Sequence, residues 1–530
     1  MELGLGDGER VGGIAPGRLD AEGAAVRALL AFLLALIGVE SAQAHLGSPD
    51  VFYDGQIGAY RAAVTIRMPT VVPGRAMITV QAETPEALTV TFRPIFNKVA
   101  LSNAPPAEQG VTVAGETNLY SGELWLMTSG AYSIEVAVRG PAGHGTILIP
   151  VNSIATKQLP LPRWLGATLA ALGLLLVLGA VAIVAAAVSE SVLPLGAAAG
   201  VVERRRRRRA AALTAVVLAL ALWGGAKWWS VEEQDFRARI RDGGWPDLTG
   251  TVRVEGGQRV LALTLGRQDL EHNKPLDLAP DHGKLLHLFL VRQPAHDAFA
   301  HIHPVRKGNH DFEVALPALP EGDYEMFCDL TLDGTGFSST ATNLTHVPAL
   351  TNAAVAAEPK LIPDTDDSWA AGTAGVPTRA GEDAVFRLTD GRQLIWKAHP
   401  ALRANHDAAL HFEARDAAGK ALELEPYMGM MSHVAVMRSD ARVFAHLHPT
   451  GNFSMAAQMV FDSKMGVEDG MAGMAGIDHS KMGHMMHQAM MGGPVISLPY
   501  QFPSAGQYRL WVQVKADGDV LTGIFDATVE

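Results

Sequence analysis

Methionine and histidine crowd into one segment of this chain. Met428 to Met491 holds 14 of the 19 methionines and six of the 19 histidines. Its densest part is MAGMAGIDHSKMGHMMHQAMM, which contains Met471, Met474, His479, Met482, His484, Met485, Met486 and His487. The intervening residues are mostly Gly, Ala, Ser, Asp and Lys, so these thioethers have little core to fill. Methionine elsewhere is usually a flexible gap-filler, the reading that suits Met68, Met77 and Met127. Thioether sulfur together with imidazole suits monovalent copper and silver, whereas imidazole alone suits divalent copper, nickel or zinc. The segment is therefore expected to hold a soft metal.

Two further histidine sets sit on strand-like sequence. FAHIHP carries His301 and His303, and FAHLHP carries His446 and His448. Alternate residues of a strand face one side, so each His-x-His projects both rings together. A loop over Gln293–Asp297 pairs residues whose numbers sum to 590 and sets His287 opposite His303. A tight turn at Asp440-Ala441 sets His433 opposite His448. Directly opposed side chains have Cβ atoms ~5 Å apart, so each hairpin offers three imidazoles to one ion. Met428, Met430 and Met431 precede the second set, and Met455 and Met459 follow it, as further soft candidates. His282 occupies the place of Met428 in the first set, which predicts an all-imidazole first site and a softer second one. His45 is a separate candidate: as a mature N-terminus, its amine and ring would chelate one copper ion.

These hairpins belong to a duplicated element. Pro280 and His287 match Pro426 and His433, and each repeat later has Gly-x-Tyr, at Gly322/Tyr324 and Gly506/Tyr508. Gly130/Tyr132 supplies a third copy. Short alternating runs separated by Pro and Gly predict β-sandwiches. The expected fold is mainly β: three immunoglobulin-like sandwiches over 45–155, 250–347 and 385–530, with a linker over 348–384. His303 to Tyr324 spans 21 positions and His448 to Tyr508 spans 60, so the Met/His stretch, 455–494, is an insertion in the last sandwich.

Targeting signals place these parts. Residues 1–44 read as a signal peptide, with an apolar run at Ala28–Gly38 and a small-x-small site at Ala42–Ala44. Two apolar stretches, 164–188 and 210–229, are expected to cross a bilayer. The intervening 189–209 reads as a cytoplasmic loop, because Arg204–Arg209 marks the inner side. Both soluble regions then lie outside the cytoplasmic (inner) membrane of a bacterium. One cysteine, Cys328, excludes an intrachain disulfide framework and four-cysteine metal sites. Cys328 sits in an alternating strand; after it the nearest histidine is His346 and the nearest methionine Met428, a spacing that disfavours a blue-copper loop and marks a buried thiol. The formal charge of −12 and the lone basic run exclude a nucleic-acid binder. No catalytic triad, phosphate loop or nucleotide fingerprint is present, so neither turnover nor an organic cofactor is expected.

The run Asp478–His487 resembles the Met/His-rich segments of bacterial periplasmic copper-resistance proteins. The repeats over about 250–530, with His433 and FAHLHP, resemble the YtkA-like and copper-resistance immunoglobulin-type sandwiches. That resemblance implies extracytoplasmic metal binding in copper handling. A copper exporter or a membrane copper enzyme is the expected partner, docked through the two membrane stretches. Three roles are compatible with that resemblance: tolerance or delivery of copper, assembly of an enzyme such as a terminal oxidase, and copper-dependent oxidoreduction. The first is the leading expectation.

Overall fold

The computed structural model describes residues 45–46, 50–156, 159–191, 193, 197, 199–241, 247–266, 274–350, 361–464 and 495–530. The fold is mainly β, in several sheets, with two long apolar helices. Three sheet pairs follow one another along the chain, each closed around apolar residues.

The middle and last pairs position the histidines. In the middle pair, a five-stranded sheet orders Phe337–Val347, Gly322–Leu332, His287–Arg292, Ala298–Ile302 and Ser368–Ala371. In the last pair, a six-stranded sheet orders His45–Leu46, Val443–Leu447, His433–Arg438, Gly506–Ala516, Asp519–Val529 and Val376–Pro377. The hairpin registers match the expected ones: Phe289 pairs with His301, and Ala435 with His446.

Both hairpins are buried on both faces. Leu288 and Leu290 point into the core of the middle pair. Phe289, Val291, Phe299 and Phe327 belong instead to the core of the last pair. Phe299 stacks on Trp511 with centroids 4.7 Å apart, and Phe327 stacks on Phe444 at 4.1 Å. The two repeats therefore pack sheet against sheet. This explains why HLFLVR and HVAVMR read as continuous apolar runs rather than alternating ones.

The Gly-x-Tyr elements share a local geometry. Gly130, Gly322 and Gly506 have φ of 137°, 148° and 145°. Tyr324 Oη donates to the carbonyl of Pro320 (2.8 Å), and Tyr508 Oη donates to that of Ser504 (2.7 Å). Tyr132 differs: its Oη bonds the Thr128 side-chain hydroxyl (2.8 Å) and accepts from the Thr128 N–H (3.3 Å).

Three expectations are corrected. The stretch 348–384 is not simply a linker: Ser368–Ala371 pairs with Ala298–Ile302 and covers that edge, and Val376–Pro377 pairs with Asp519–Val529. An uncovered edge would leave a row of unpaired backbone groups. Arg204–Arg209 lies not in a loop but near the start of the helix Val201–Arg241, where Arg and the Ala that follow are strong helix formers. The other apolar helix is Arg163–Glu190, and both are long and apolar enough to cross a membrane.

The third correction concerns Met455 and Met459, which lie on a helix, Met455–Lys464. Ser454 caps it by accepting from the Ala457 N–H. Met455 packs on the core of the first sheet pair, and Met459 is 63% exposed. The same stretch ties that first pair to the last one. Thr450 accepts from the Asp54 N–H, and Asn452 bonds both Asp50 and Phe52. Gly451 is required here, since a Cβ would lie 1.9 Å from the carbonyl oxygen of Phe52.

Candidate metal centre

The structure gathers His287, His301 and His303 into one group and His433, His446 and His448 into another. Within each group one ligating atom per ring lies within 4.8 Å of the others, and each group can hold a metal ion. His301 and His433 are fully buried, and His287, His303 and His448 nearly so.

Hydrogen bonds at the far side of these rings fix the tautomers. His287 Nε2 donates to the carbonyl of Asp281 (3.1 Å), so its Nδ1 carries a lone pair. His301 Nδ1 faces Gln513 Oε1 (2.9 Å) and donates to it, which leaves a lone pair on Nε2. Yet His287 Nδ1 and His301 Nε2 stand 3.1 Å apart. His303 Nδ1 donates to Asp367 Oδ1 (2.9 Å), and its Nε2 is buried with no hydrogen-bond partner among the described residues.

The second group repeats the pattern. His433 Nε2 donates to the carbonyl of Tyr427 (2.9 Å), and His446 Nδ1 donates to Asp329 Oδ2 (3.2 Å). The remaining nitrogens, His433 Nδ1 and His446 Nε2, face each other at 3.0 Å. Neither ring nitrogen of His448 has a partner among the described residues. Lone pairs facing one another in a buried site repel, and buried acceptors without donors are costly. A cation between them removes both penalties. A ring whose other N–H is held by a carbonyl or carboxylate is the usual arrangement of a metal-ligating histidine.

Burial also keeps these rings neutral. Desolvation holds His301, His303, His433, His446 and His448 well below the ordinary imidazole range. His287 is pushed down to about 4 for the same reason. Neutral imidazole is the form that binds metal. Burial raises the carboxyls of Asp329 and Asp367 to about 7.

Several site residues escaped the sequence reading. The sequence assigns His282 to an all-imidazole first site, whereas its ring lies 5.4 Å from His433 and 5.0 Å from His448, nearer than the 6.3 Å to His287. The chain there makes a two-residue turn with His282 at φ 50° and Gly283 at φ 80°. Met428 and Gly429 form the same turn in the second repeat, at φ 49° and 78°. Asp329 and Gln513 had one available signal: each is a lone polar residue inside an apolar strand, FCDL and WVQV. Both hold equivalent places, since Asp329 pairs with His287 and Gln513 with His433.

The methionine candidates fare differently. Met428 and Met430 are buried, and Met431 packs on the core of the last sheet pair. The Met471–Met491 segment, with Met471, Met474, His479, Met482, His484, Met485, Met486 and His487, lies outside the described residues. His45 opens a short strand that pairs in parallel with Val443–Phe444, in the sheet bearing the second group. Cys328 is fully buried, and burial pushes its thiol up, as a structural thiol requires.

A family model described as "Domain of unknown function (DUF8832)" matches residues 242–346 and 387–530. Those segments contain both histidine groups and His282. No curated protein matches. Among solved structures, a biofilm-associated protein BSP domain is 8% identical, with 95% of this chain and 69% of that chain covered at a TM-score of 0.15. Trypsin-activated alpha-2-macroglobulin from Escherichia coli is 9% identical, with 91% of this chain and 24% of that one covered at a TM-score of 0.16. At such scores neither likeness bears on function.

Proposed function

We propose that this chain is a membrane-anchored, extracytoplasmic metal-binding protein whose buried histidine centre takes copper, for tolerance or delivery and without turnover. The observation that carries this reading is the facing of lone pairs within each triad, with the outer N–H groups held by Asp281, Gln513, Asp367, Tyr427 and Asp329. Such a site favours a cation that prefers imidazole. Copper is the choice because the same chain carries the Met/His run Met471–Met491, whose thioethers suit the monovalent ion.

Other features support the setting. The two apolar helices supply the anchor. The six arginines Arg204–Arg209 would stay on the cytoplasmic side, which leaves the sheets outside, consistent with a signal peptide over 1–44. The bonds of Tyr324 and Tyr508 to upstream carbonyls support immunoglobulin-like sandwiches in the two repeats, since a tyrosine near a strand start bonds back to upstream backbone there; the first sheet pair, with Gly130/Tyr132, would be the third. A copper exporter or a membrane copper enzyme would be the partner.

The test is a competition titration of the detergent-solubilised full chain with Cu(I) and with Cu(II), compared with a variant carrying Asn at His287, His301, His433 and His446. The reading expects tight copper equivalents that the variant lacks. Equal stoichiometry and affinity in the two proteins would overturn it.

A further inference from the structure

The geometry points to one binuclear centre shared by the two repeats, with His282 as an additional imidazole donor to the second ion. This inference rests on the metal-binding reading above and adds the number of ions, their proximity and the mixed origin of their ligands.

The first support is spacing. Within the groups, ring centroids lie 5.4 Å apart for His287 and His301 and 5.2 Å for His433 and His446. Across the repeats the values are the same: 5.4 Å for His301 and His446, and 5.5 Å for His287 and His446. A metal sits ~2.0 Å from its imidazole nitrogen, hence about 3 Å from the ring centroid. Two ions held by His287 and His446 are then no more than about 12 Å apart.

The second support is an exchange of orienting groups. Asp329, on the strand beside His287, accepts from His446 of the other repeat. Gln513, on the strand beside His433, accepts from His301 of the first repeat. Neither repeat alone holds its own middle histidine in the ligating tautomer. Each triad is complete only when the two sheets are packed together.

His282 extends the same exchange. It leaves the first repeat on a left-handed turn that non-glycine residues rarely adopt. Its ring is nearer to His433 and His448 than to His287, which lies 6.3 Å away. Its Nε2 stands 3.5 Å from Asp281 Oδ1 and makes no hydrogen bond among the described residues, nor does either nitrogen of His448. With His303 Nε2, these ring nitrogens are the ones in and beside the two groups that no hydrogen bond takes up.

Charge selects the ion class. Two divalent ions repel four times as strongly as two monovalent ones at the same separation. The ring-orienting carboxyls, Asp329 and Asp367, can supply at most one negative charge each, short of what two divalent ions require. A pair of Cu(I) ions is the favoured load, and a Cu(II) pair is the weaker one that spectroscopy can read.

The experiment uses the full chain in detergent, loaded stepwise with Cu(II) and followed by electron paramagnetic resonance. Three variants accompany it: His287→Asn with His301→Asn, His433→Asn with His446→Asn, and His282→Ala. The centre predicts an isolated spectrum in each double variant. In the parent at two equivalents it predicts dipolar broadening absent from both. His282→Ala is expected to weaken the second equivalent about tenfold or more and leave the first unchanged. A parent spectrum equal to the sum of the two double-variant spectra would overturn the shared centre while leaving metal binding intact. Copper bound identically by the parent and both double variants would overturn both. Should the double variants fail to fold, the single His282→Ala titration decides, and unchanged affinity for both equivalents refutes the assignment.

Discussion

Gln513 touches no candidate ion, yet it decides which nitrogen of His301 is free. Its Oε1 accepts from Nδ1, and its amide is anchored in turn by Ser368 Oγ. Removing an outer partner of a metal-ligating histidine typically lowers affinity 10- to 100-fold. Gln513→Met, of similar length but without an acceptor, is expected to weaken the first triad by about that factor and to spare the second. Gln513→Glu should restore most of the loss. Chelator competition with each variant measures this, and parental affinity in Gln513→Met would refute the positioning role. Met459→Leu is the contrasting change. Its side chain is exposed on a helix that packs on the first sheet pair, so copper affinity in the described core should not move.

The strands and turns carry the next level. The tyrosine bonds at Tyr324 and Tyr508 predict that Tyr324→Phe and Tyr508→Phe each cost about 0.5–1.5 kcal/mol, read by chemical denaturation. No loss in either would remove these bonds from the account. The helix Met455–Lys464 makes a pH prediction. Burial raises Asp462 to about 6, above its ordinary value of 3.8. The folded state therefore keeps the proton longer than the unfolded chain, and ionisation above pH 6 costs stability. Asp462→Asn should stabilise the protein above about pH 6, with the gain shrinking as pH falls toward 4. A gain independent of pH would contradict this.

Much of this level was legible in sequence. The hairpin registers followed from turn length and the two-residue period, so the triads could be assembled on paper. The packing of sheet on sheet was not assembled, although the unbroken apolar runs around His287 and His433 carried its signature. Hairpin register alone therefore yields two separate triads. Asp329, Gln513 and His282 stayed hidden because their partners lie 117 and 212 positions away or across the repeat interface. The helix at Met455 has a purely local signal, a Ser454 cap before a run of good helix formers, which the sulfur chemistry of Met455 and Met459 overshadows.

At the scale of the molecule, the two repeats contribute interlocking halves to one buried layer of imidazoles. A ligand that binds the folded state only stabilises it by about 2.7 kcal/mol at a hundredfold excess over Kd. Copper at the triads should therefore raise the melting temperature of the full chain, and a chelator should reverse the rise. A variant lacking both triads should show no such shift, and an equal shift in that variant would assign the effect to metal bound elsewhere. The most direct test of the central claim is anomalous diffraction at the copper edge from crystals of the copper-loaded chain. Peaks are expected about 2.0 Å from His287 Nδ1, His301 Nε2 and His303 Nε2, and likewise from His433 Nδ1 and His446 Nε2 beside His448. Well-ordered copper found only at exposed histidines, with no peak between these rings, would contradict it.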